Sequence, residues 1–171
     1  MKQIVDRFFL ELKKESGVKN FSSPLLNSGL KIVKEKKGDF EKNKFFYKQI
    51  GADHFWRDRL VWTDRDWLKY VSNPNLETWI MKKDESLIGF YELEFHEDKN
   101  EIELINLGIL KEFRSKKYGS LILKHMIKLS FQKKINRVWV HTCSLDHKFA
   151  LNNYLSKGFK IFKEEKINFV A

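Results

Sequence analysis

The chain of 171 residues is long enough to bury the core of one domain, and its 42% hydrophobic and 15% aromatic residues are typical of a globular protein rather than a disordered one. Its formal net charge of +10 permits an anionic ligand or partner, but the lysines are scattered and form no long basic tract, which disfavours nucleic-acid binding as the main function. Cys143 is the only cysteine, so an intrachain disulfide is excluded and a reducing compartment is favoured.

The N-terminal segment is predicted to be an amphipathic helix followed by a loop. Gly17 is placed to end the helix, and serine, proline and glycine between residues 18 and 30 indicate the loop. The segment has acidic residues within its apolar part and no small-residue cleavage site, so we interpret it as neither a signal peptide nor a membrane span and expect a cytoplasmic protein. Its apolar face would allow a homodimer. The apolar residues at helical spacing are Ile4, Val5, Phe8, Phe9 and Leu12.

Four short strands are predicted between residues 30 and 95. They cover residues 30–33, 45–50, 79–82 and 88–95, and the last two form a hairpin. Each run is rich in β-branched or aromatic residues and is bounded by polar residues or glycine, which is the composition of a strand between turns.

A helix is predicted to begin at Thr63, because Asp66 three residues later completes the pattern of a capping box, and Pro74 marks where it has ended. Aromatic residues are concentrated around it. They are Phe55, Trp56, Trp62, Trp67 and Tyr70. Their spacing fits the buried face of a helix, and it also fits the wall of a binding cleft.

Residues 101–128 predict a strand, a cationic loop and a helix. The apolar run from Ile102 to Leu110 indicates a strand that begins half-buried and becomes fully buried, and residues 121–129 repeat with helical spacing. A loop that opens a helix presents free backbone N–H groups at the positive end of the helix dipole, where anions bind. Arg114, Lys116 and Lys117 add positive charge around those groups.

The remaining elements are a core strand at residues 138–142, a helix at 148–156 followed by Gly158, and strand segments at 160–162 and 167–169. There are no internal repeats and no low-complexity linker. The order of strands and helices predicts a single domain, residues 1–171, built on a mixed α/β sheet.

The cationic loop resembles motif A of the GNAT N-acetyltransferase superfamily, Q/R-x-x-G-x-G/A, whose loop holds the pyrophosphate of acetyl-CoA. Arg114 and Gly119 fill the outer positions, and Lys117 stands where the family usually has its first glycine. A residue other than glycine that must adopt a positive φ there would cost about 1 kcal/mol or more.

A second motif supports the same resemblance. Residues 147–159 are similar to the family signature N-x-x-A-x-x-x-Y-x-x-x-G-F, with His147 at the asparagine position and Tyr154 at the usual general acid. Together the two motifs extend the resemblance over roughly residues 45 to 171.

The resemblance implies an α/β (α+β mixed) fold, in which a central, mostly antiparallel twisted sheet is splayed between the motif A and motif B strands and has helices on both faces. Residues 1–28 would pack on this single domain, 101–128 would form the pyrophosphate-loop motif and 138–159 motif B. It also implies an N-acetyltransferase that uses acetyl-CoA and an amine-bearing acceptor, either a small molecule or a protein amine.

The same resemblance implies a set of cofactor-binding residues. The strand backbone would hold the acetyl carbonyl and the pantetheine, the loop and helix start would hold the pyrophosphate, and an asparagine of the second motif would bind the pantetheine arm. These residues are Leu107, Ile109, Arg114, Lys116, Lys117, Tyr118, Gly119, Ser120, Asn152 and Asn153.

Acetyl transfer to an amine needs a neutral amine, a donor for the developing oxyanion and a proton for the leaving thiolate. Period-two alternation places Glu103 on the strand face of Leu107 and Ile109, so Glu103 is the first candidate for the base, followed by Glu92 and His141. The resemblance implies Tyr154 as proton donor to the CoA sulfur.

Several alternatives stay open. Glu92 and Glu103, with Glu94 and Glu101, could instead form a locally acidic cleft for a cationic amine. Lys117 in place of glycine also keeps open a CoA-binding or regulatory module of the same fold without turnover, and less favourably a nucleic-acid-binding domain. No metal site is predicted, because no second histidine stands at ligand spacing from His147.

Overall fold

A computed structural model describes residues 2–16 and 29–170, and in them one seven-stranded sheet carries α-helices on both faces. The strands are β1 Lys2–Lys13, β2 Leu30–Lys34, β3 Leu76–Lys83, β4 Ser86–His96, β5 Glu101–Ile109, β6 Arg137–Cys143 and β7 Lys160–Val170. The helices are α1 Glu41–Gly51, α2 Asp64–Val71, α3 Tyr118–Gln132 and α4 Ala150–Ser156, with 3-10 turns at Lys14–Ser16 and Lys111–Phe113. None of the helices in the described ranges has the length and apolar character needed to cross a membrane.

The strand order is β2-β3-β4-β5-β6-β1-β7, and the neighbouring strands are antiparallel except for the parallel pair β5 and β6. Pairing within that pair runs from Glu101–Arg137 to Leu104–Val140 and stops there. Beyond Leu104 the two strands diverge, so the expected mostly antiparallel, splayed sheet is confirmed.

The N-terminal segment is a strand, and the predicted helix is wrong. β1 lies inside the sheet, antiparallel to β6 on one side and to β7 on the other. Leu10 and Leu12, two residues apart, are buried on one face, while Ile4 is exposed. Pairs of adjacent apolar residues fit a helix and a strand buried on both faces equally well. Here the hydrogen bonds to β6 and β7 favour the strand. The apolar helix face on which a homodimer was predicted is therefore absent; Gly17 and the loop predicted after it lie outside the described residues.

The second error is at residues 45–50, which were predicted as a strand and belong to helix α1. Phe46 and Ile50, four residues apart, are buried together against Ile80 and Phe90 of the sheet. The ring of Phe46 stacks on that of Phe90 with 4.9 Å between centroids. The six-residue apolar run was too short to distinguish the 3.6-residue period of a helix from the two-residue period of a strand. The helix is longer than the run and also includes the polar residues before it.

The other predicted elements between residues 30 and 95 are confirmed. β3 and β4 form the expected hairpin. The capping box at the start of α2 is complete, since Thr63 Oγ1 accepts from the Asp66 amide at 3.3 Å and the Thr63 amide donates to Asp66 Oδ2 at 2.8 Å.

The core lies on both faces of the sheet. Along β4, Phe90 faces α1, whereas its neighbour Tyr91 belongs to the apolar cluster on the α3 side. There the buried face of α3, including Ile122 and Met126, packs on the strands. The expected helices on both faces are thus confirmed, as is the predicted strand–loop–helix order of β5 and α3.

A β-bulge at Ile105 changes which residues of β5 share a face. Leu104 pairs with Leu93, but Asn106 pairs with Glu92, so Ile105 is an extra residue. Past the bulge the alternation is shifted by one position. Glu103 and Leu107 therefore lie on opposite faces, and the prediction that Glu103, Leu107 and Ile109 share one is wrong.

Two glycines allow β4, β5 and α1 to approach closely. A Cβ on Gly89 would lie 2.5 Å from the carbonyl oxygen of Gly108, and one on Gly108 would lie 2.8 Å from Ile50 side-chain atoms. Both contacts are shorter than side-chain carbons tolerate, so the close approach depends on glycine at these positions.

Gly89→Ala is expected to lower the free energy of unfolding by about 1–3 kcal/mol, because the new methyl group meets a backbone carbonyl that cannot move aside. Urea denaturation measures the change. Gly119→Ala is the matched control, since its Cβ would have no neighbour closer than 3.8 Å. Equal destabilisation by both substitutions would contradict the steric explanation.

Candidate active site

A cleft of about 890 Å³ opens where β5 and β6 diverge. Its walls come from β5 at residues 104–109, from β6 and the following turn, and from α4. The loop before α3, the loop between α1 and α2, and strands β1 and β7 also line it. A concave site of this volume is of the size that encloses a cofactor or a small substrate.

The N-terminus of α3 opens into this cleft. Lys117, the N-cap residue, has a φ of 64°, in the left-handed region, and provides no side-chain cap. The first amides of a helix have no intrahelical acceptor, so those of Tyr118, Gly119 and Ser120 are available to an anion. All four residues line the cleft. The position usually held by glycine therefore does require a positive φ, and Lys117 adopts it at a cost of about 1 kcal/mol.

The two other basic residues predicted here have different environments. Arg114 lines the cleft, but its Nε donates to the Ile109 carbonyl at 3.1 Å and its Nη1 to Asp53 Oδ2 at 2.8 Å. The hydrogen bond from Arg114 lowers the pKa of Asp53. Lys116 lies outside the cleft, with its Nζ 5.6 Å from the centre of the Phe113 ring. Arg114 thus fixes the loop, and Lys117 is the predicted lysine at the cleft.

Helix α4 contributes both predicted asparagines, and they differ in availability. Asn153 Nδ2 donates to the Gly119 carbonyl at 3.1 Å and its Oδ1 accepts from Lys157 Nζ at 3.0 Å, so this side chain joins α4 to the start of α3. Asn152 is exposed and lines the cleft. The predicted strand residues Leu107 and Ile109 line it as well.

Tyr154 lies at the cleft wall on α4. Its residue is 7% exposed, and its ring packs edge-on against Phe159 at 5.6 Å between centroids. Burial, followed by the charge of Asp146, raises the pKa of Tyr154 above its ordinary value. The hydroxyl therefore keeps its proton at neutral pH and can act as a donor.

Glu92 is fully buried behind the cleft wall and does not line the cleft. Its carboxylate accepts from Asn43 Nδ2 at 2.7 Å, Arg59 Nη1 at 3.0 Å, Tyr70 Oη at 2.8 Å and Asn106 Nδ2 at 2.8 Å. Three of these donors reach Oε2, whereas Oε1 accepts from Asn43 and has Arg59 Nη1 at 3.4 Å. In this arrangement Glu92 holds Arg59 and Asn106, which do line the cleft.

The aromatic residues between 55 and 70 divide into two groups. The guanidinium carbon of Arg59 lies 4.2 Å from the ring centre of Tyr70 and 4.9 Å from that of Trp62, and Trp67 also surrounds it. Burial alone would lower the pKa of Arg59, but the charges of Glu92 and Tyr70 and the hydrogen bonds to both side chains together outweigh it, so the pKa is raised. By contrast, the remaining two members of the predicted cluster line the cleft. These are Phe55 and Trp56.

Glu103 lies outside the cleft, where its Oε2 is 2.9 Å from His96 Nε2. Glu94 is directly opposite Glu103 on β4, and donor atoms of Glu94, His96 and Glu103 all lie within 4.8 Å of one another. This set could hold a metal ion. The sequence argument against a metal site concerned only histidines at ligand spacing from His147. Glu101, bound to Arg137, is also outside the cleft, so the predicted acidic cleft is not formed.

Three histidines line the cleft: His54, His141 and His147. Burial lowers the pKa of each, and nearby arginines lower it further, Arg7 acting on His141 and Arg114 on the other two. Their imidazoles are therefore neutral at neutral pH and able to accept a proton. His141 was the third candidate from the sequence, whereas Asn106 was missed because the bulge that turns it towards Glu92 has no local sequence signal.

The chain matches the model of the acetyltransferase (GNAT) family over residues 40–159, and it belongs to this family. No curated protein matches it.

Solved structures of the same fold are similar to this one at low sequence identity. An aminoglycoside acetyltransferase, meta-AAC0020, from an uncultured soil metagenomic sample has a TM-score of 0.65 at 14% identity, covering 78% of this chain and 90% of that one. A GCN5-related N-acetyltransferase from Sphaerobacter thermophilus has a TM-score of 0.70 at 10% identity, covering 96% of this chain and 52% of that one. An IAA acetyltransferase from Bacillus cereus reaches 21% identity with a TM-score of 0.57, covering 78% and 79%. At these identities the likeness establishes the fold.

Glu92→Gln is expected to lower the free energy of unfolding by about 3–5 kcal/mol, because it leaves Arg59 buried without a countercharge. Chemical denaturation followed by tryptophan fluorescence measures the loss. In the matched control, Glu165→Gln breaks the half-exposed pair with Arg7 and should leave stability nearly unchanged. A Glu92→Gln protein as stable as this control would show that the network does not support the fold.

Proposed function

We propose that this protein transfers the acetyl group of acetyl-CoA directly to the primary amine of an acceptor. The observation that carries the proposal is a continuous cleft, which begins at the N-terminus of α3 and passes between the diverging β5 and β6. Tyr154 and His141 both line it, so an anion-binding end, a proton donor and a proton acceptor share one cavity.

The anion-binding end suits the pyrophosphate of acetyl-CoA. The free amides at Tyr118, Gly119 and Ser120 and the charge of Lys117 would meet the phosphates. The pantetheine arm contains amide groups, and the edge of β5 beyond Leu104 has no partner strand there, so it can hydrogen-bond an extended chain. Asn152 is exposed on the same path, which supports its proposed contact with that arm.

The reaction needs two proton transfers. The amine nitrogen attacks the thioester carbonyl, a C–N bond forms and the C–S bond breaks. One proton leaves the amine, and the departing thiolate takes up another. Tyr154 Oη is proposed to protonate the sulfur, since Tyr154 lines the cleft and burial keeps its hydroxyl protonated.

His141 is proposed as the base in preference to the two glutamates. His141 lines the cleft, whereas Glu92 is buried behind the wall with four hydrogen-bond donors and Glu103 is bound to His96. Burial and Arg7 keep the imidazole neutral, and the charge of Glu103 raises its pKa in part, which stabilises the imidazolium once the proton arrives. Glu103 would then act through His141 rather than on the amine.

Calorimetric titration with acetyl-CoA, with ATP as the anion control, tests the donor. We expect micromolar binding of acetyl-CoA that ATP does not reproduce, and release of free thiol when an acceptor amine is added. Lys117→Glu should weaken acetyl-CoA binding by about tenfold or more, because it places a negative charge at the phosphate end. Lys116→Glu, whose side chain lies outside the cleft, is the control. Binding without thiol release from any amine would favour the non-catalytic module, and no binding would contradict the proposal.

His141→Gln is expected to lower kcat/KM at pH 7 by roughly 100-fold without changing acetyl-CoA affinity. The base is inactive when protonated, so in the wild type kcat/KM should fall as the pH drops through a pKa below the ordinary value of about 6.5. The variant should lose this acidic limb and keep the rise at high pH that comes from the amine. His125→Gln, on α3 outside the cleft, is the control. An unchanged acidic limb in His141→Gln would assign that limb to another group.

A further inference from the structure

Residues 54–59, β1 and β7 line the part of the cleft that we call the distal end. Asp53, just before this segment, is held to the loop that precedes α3 by its ion pair with Arg114. The loop carrying residues 54–59 crosses the split in the sheet. The His54 ring lies 6.1 Å from that of His147, and the Phe55 ring packs edge-on against Phe169 of β7 at 5.7 Å. Phe55 holds this position at a φ of 58°, a conformation that is unfavourable for an aromatic residue. The loop is thus shaped to enclose the place where an acceptor would enter.

Two neighbouring residues of this loop give the distal end its polar character. Arg57 lines the cleft with its guanidinium carbon 5.5 Å and 5.6 Å from the rings of Phe55 and Phe169. Asp58 lines the cleft beside it. Within residues 2–16 and 29–170, neither side chain forms an ion pair. The other two arginines here are compensated, Arg59 by Glu92 and Arg7 by Glu165.

Apolar side chains also line the distal end. Val5, Trp56, Ile167 and Phe169 line the cleft around Arg57 and Asp58. An unpaired cation and an unpaired anion on an apolar wall complement a small zwitterion with an apolar side chain, since the guanidinium pairs with a carboxylate and the carboxylate of Asp58 can accept from an ammonium.

A polycationic acceptor fits the cleft poorly. The cleft-lining carboxylates in the described ranges are Asp58 and Asp146, and Asp146 already accepts from Thr142 Oγ1 and the Cys143 amide. They stand against six basic side chains, three of which are paired with carboxylates that do not line the cleft. The six are Arg7, Arg57, Arg59, Arg114, Lys117 and Lys157. The glutamates that could have attracted a polycation lie outside.

We propose that the acceptor is an amine that bears a carboxylate close to its amino group and an apolar side chain, as an apolar α-amino acid does, and that Arg57 binds this carboxylate. The inference rests on the proposed acetyl transfer. It makes Arg57 a specificity-determining residue and leaves the chemistry of the transfer to the residues deeper in the cleft. Asp58 would receive the acceptor in its ammonium form before the proton is lost.

The experiment compares matched amines that differ only in the carboxylate. L-phenylalanine and L-phenylalaninamide form one pair, L-leucine and L-leucinamide a second, with spermidine and kanamycin as polycations, and thiol release from acetyl-CoA gives kcat/KM. We expect the acids to exceed their amides by about tenfold or more, although the amides have the less basic amine. Arg57→Ala should lower kcat/KM for the acids by roughly 10- to 100-fold and leave the amides within about threefold, and Arg57→Lys should fall between.

Arg65→Ala, an exposed arginine on α2 outside the cleft, is the matched control and should change neither class. Preference for the amides or polycations, equal losses for acid and amide in Arg57→Ala, or no turnover of any carboxylate-bearing amine by protein that binds acetyl-CoA would each overturn the inference. Absence of acetyl-CoA binding in calorimetry would instead overturn the proposed acetyl transfer, so the two failures are distinguishable.

Discussion

The buried carboxylate of Glu92 joins more of the site than any other single side chain described here. Through its four hydrogen-bond donors it connects β4 to α1, to the loop before α2, to α2 itself and to β5 beyond the bulge. Arg59, held by this carboxylate and surrounded by aromatic rings, is the fixed end of the loop that crosses the split sheet. The position of Arg57 and Asp58 in the cleft therefore depends on the carboxylate of Glu92, which does not itself line the cleft.

A buried ion pair is a weak source of stability, because desolvation of both charges offsets much of their attraction, and an apolar replacement of similar volume can be as stable. The contribution here is geometric. Each donor to Glu92 comes from a different element, so satisfying all of them allows one arrangement of helix, loop and strand. An apolar cluster would tolerate small shifts of the loop, whereas a fully bonded carboxylate does not. The same bonds weigh against Glu92 as the proposed base, even though it lies close behind the cleft wall.

The parts of this protein that could be predicted from sequence are those whose causes are local. The turn at Lys117 and Gly119, the capping box at Thr63 and the position of Tyr154 each depend on a few adjacent residues. The two elements predicted wrongly, β1 and α1, contain apolar runs that fit both the period of a helix and that of a strand. Contacts with residues distant in the sequence determine which structure forms. The role predicted for Glu103 depended on strand alternation, which the bulge at Ile105 reversed without any change in residue type.

One electrostatic feature serves several steps of the proposed reaction. Positive charge near the cleft would attract the phosphates of acetyl-CoA at the start of α3, and around Arg7 and Arg114 it adds to the effect of burial in lowering the pKa of the lining histidines. The same field disfavours an ammonium relative to a free amine, which is the form that attacks the thioester. A basic cleft would repel a polycationic acceptor before this advantage could operate. An acceptor with its own carboxylate escapes that penalty, because the negative group is attracted while the neighbouring amine is made easier to deprotonate.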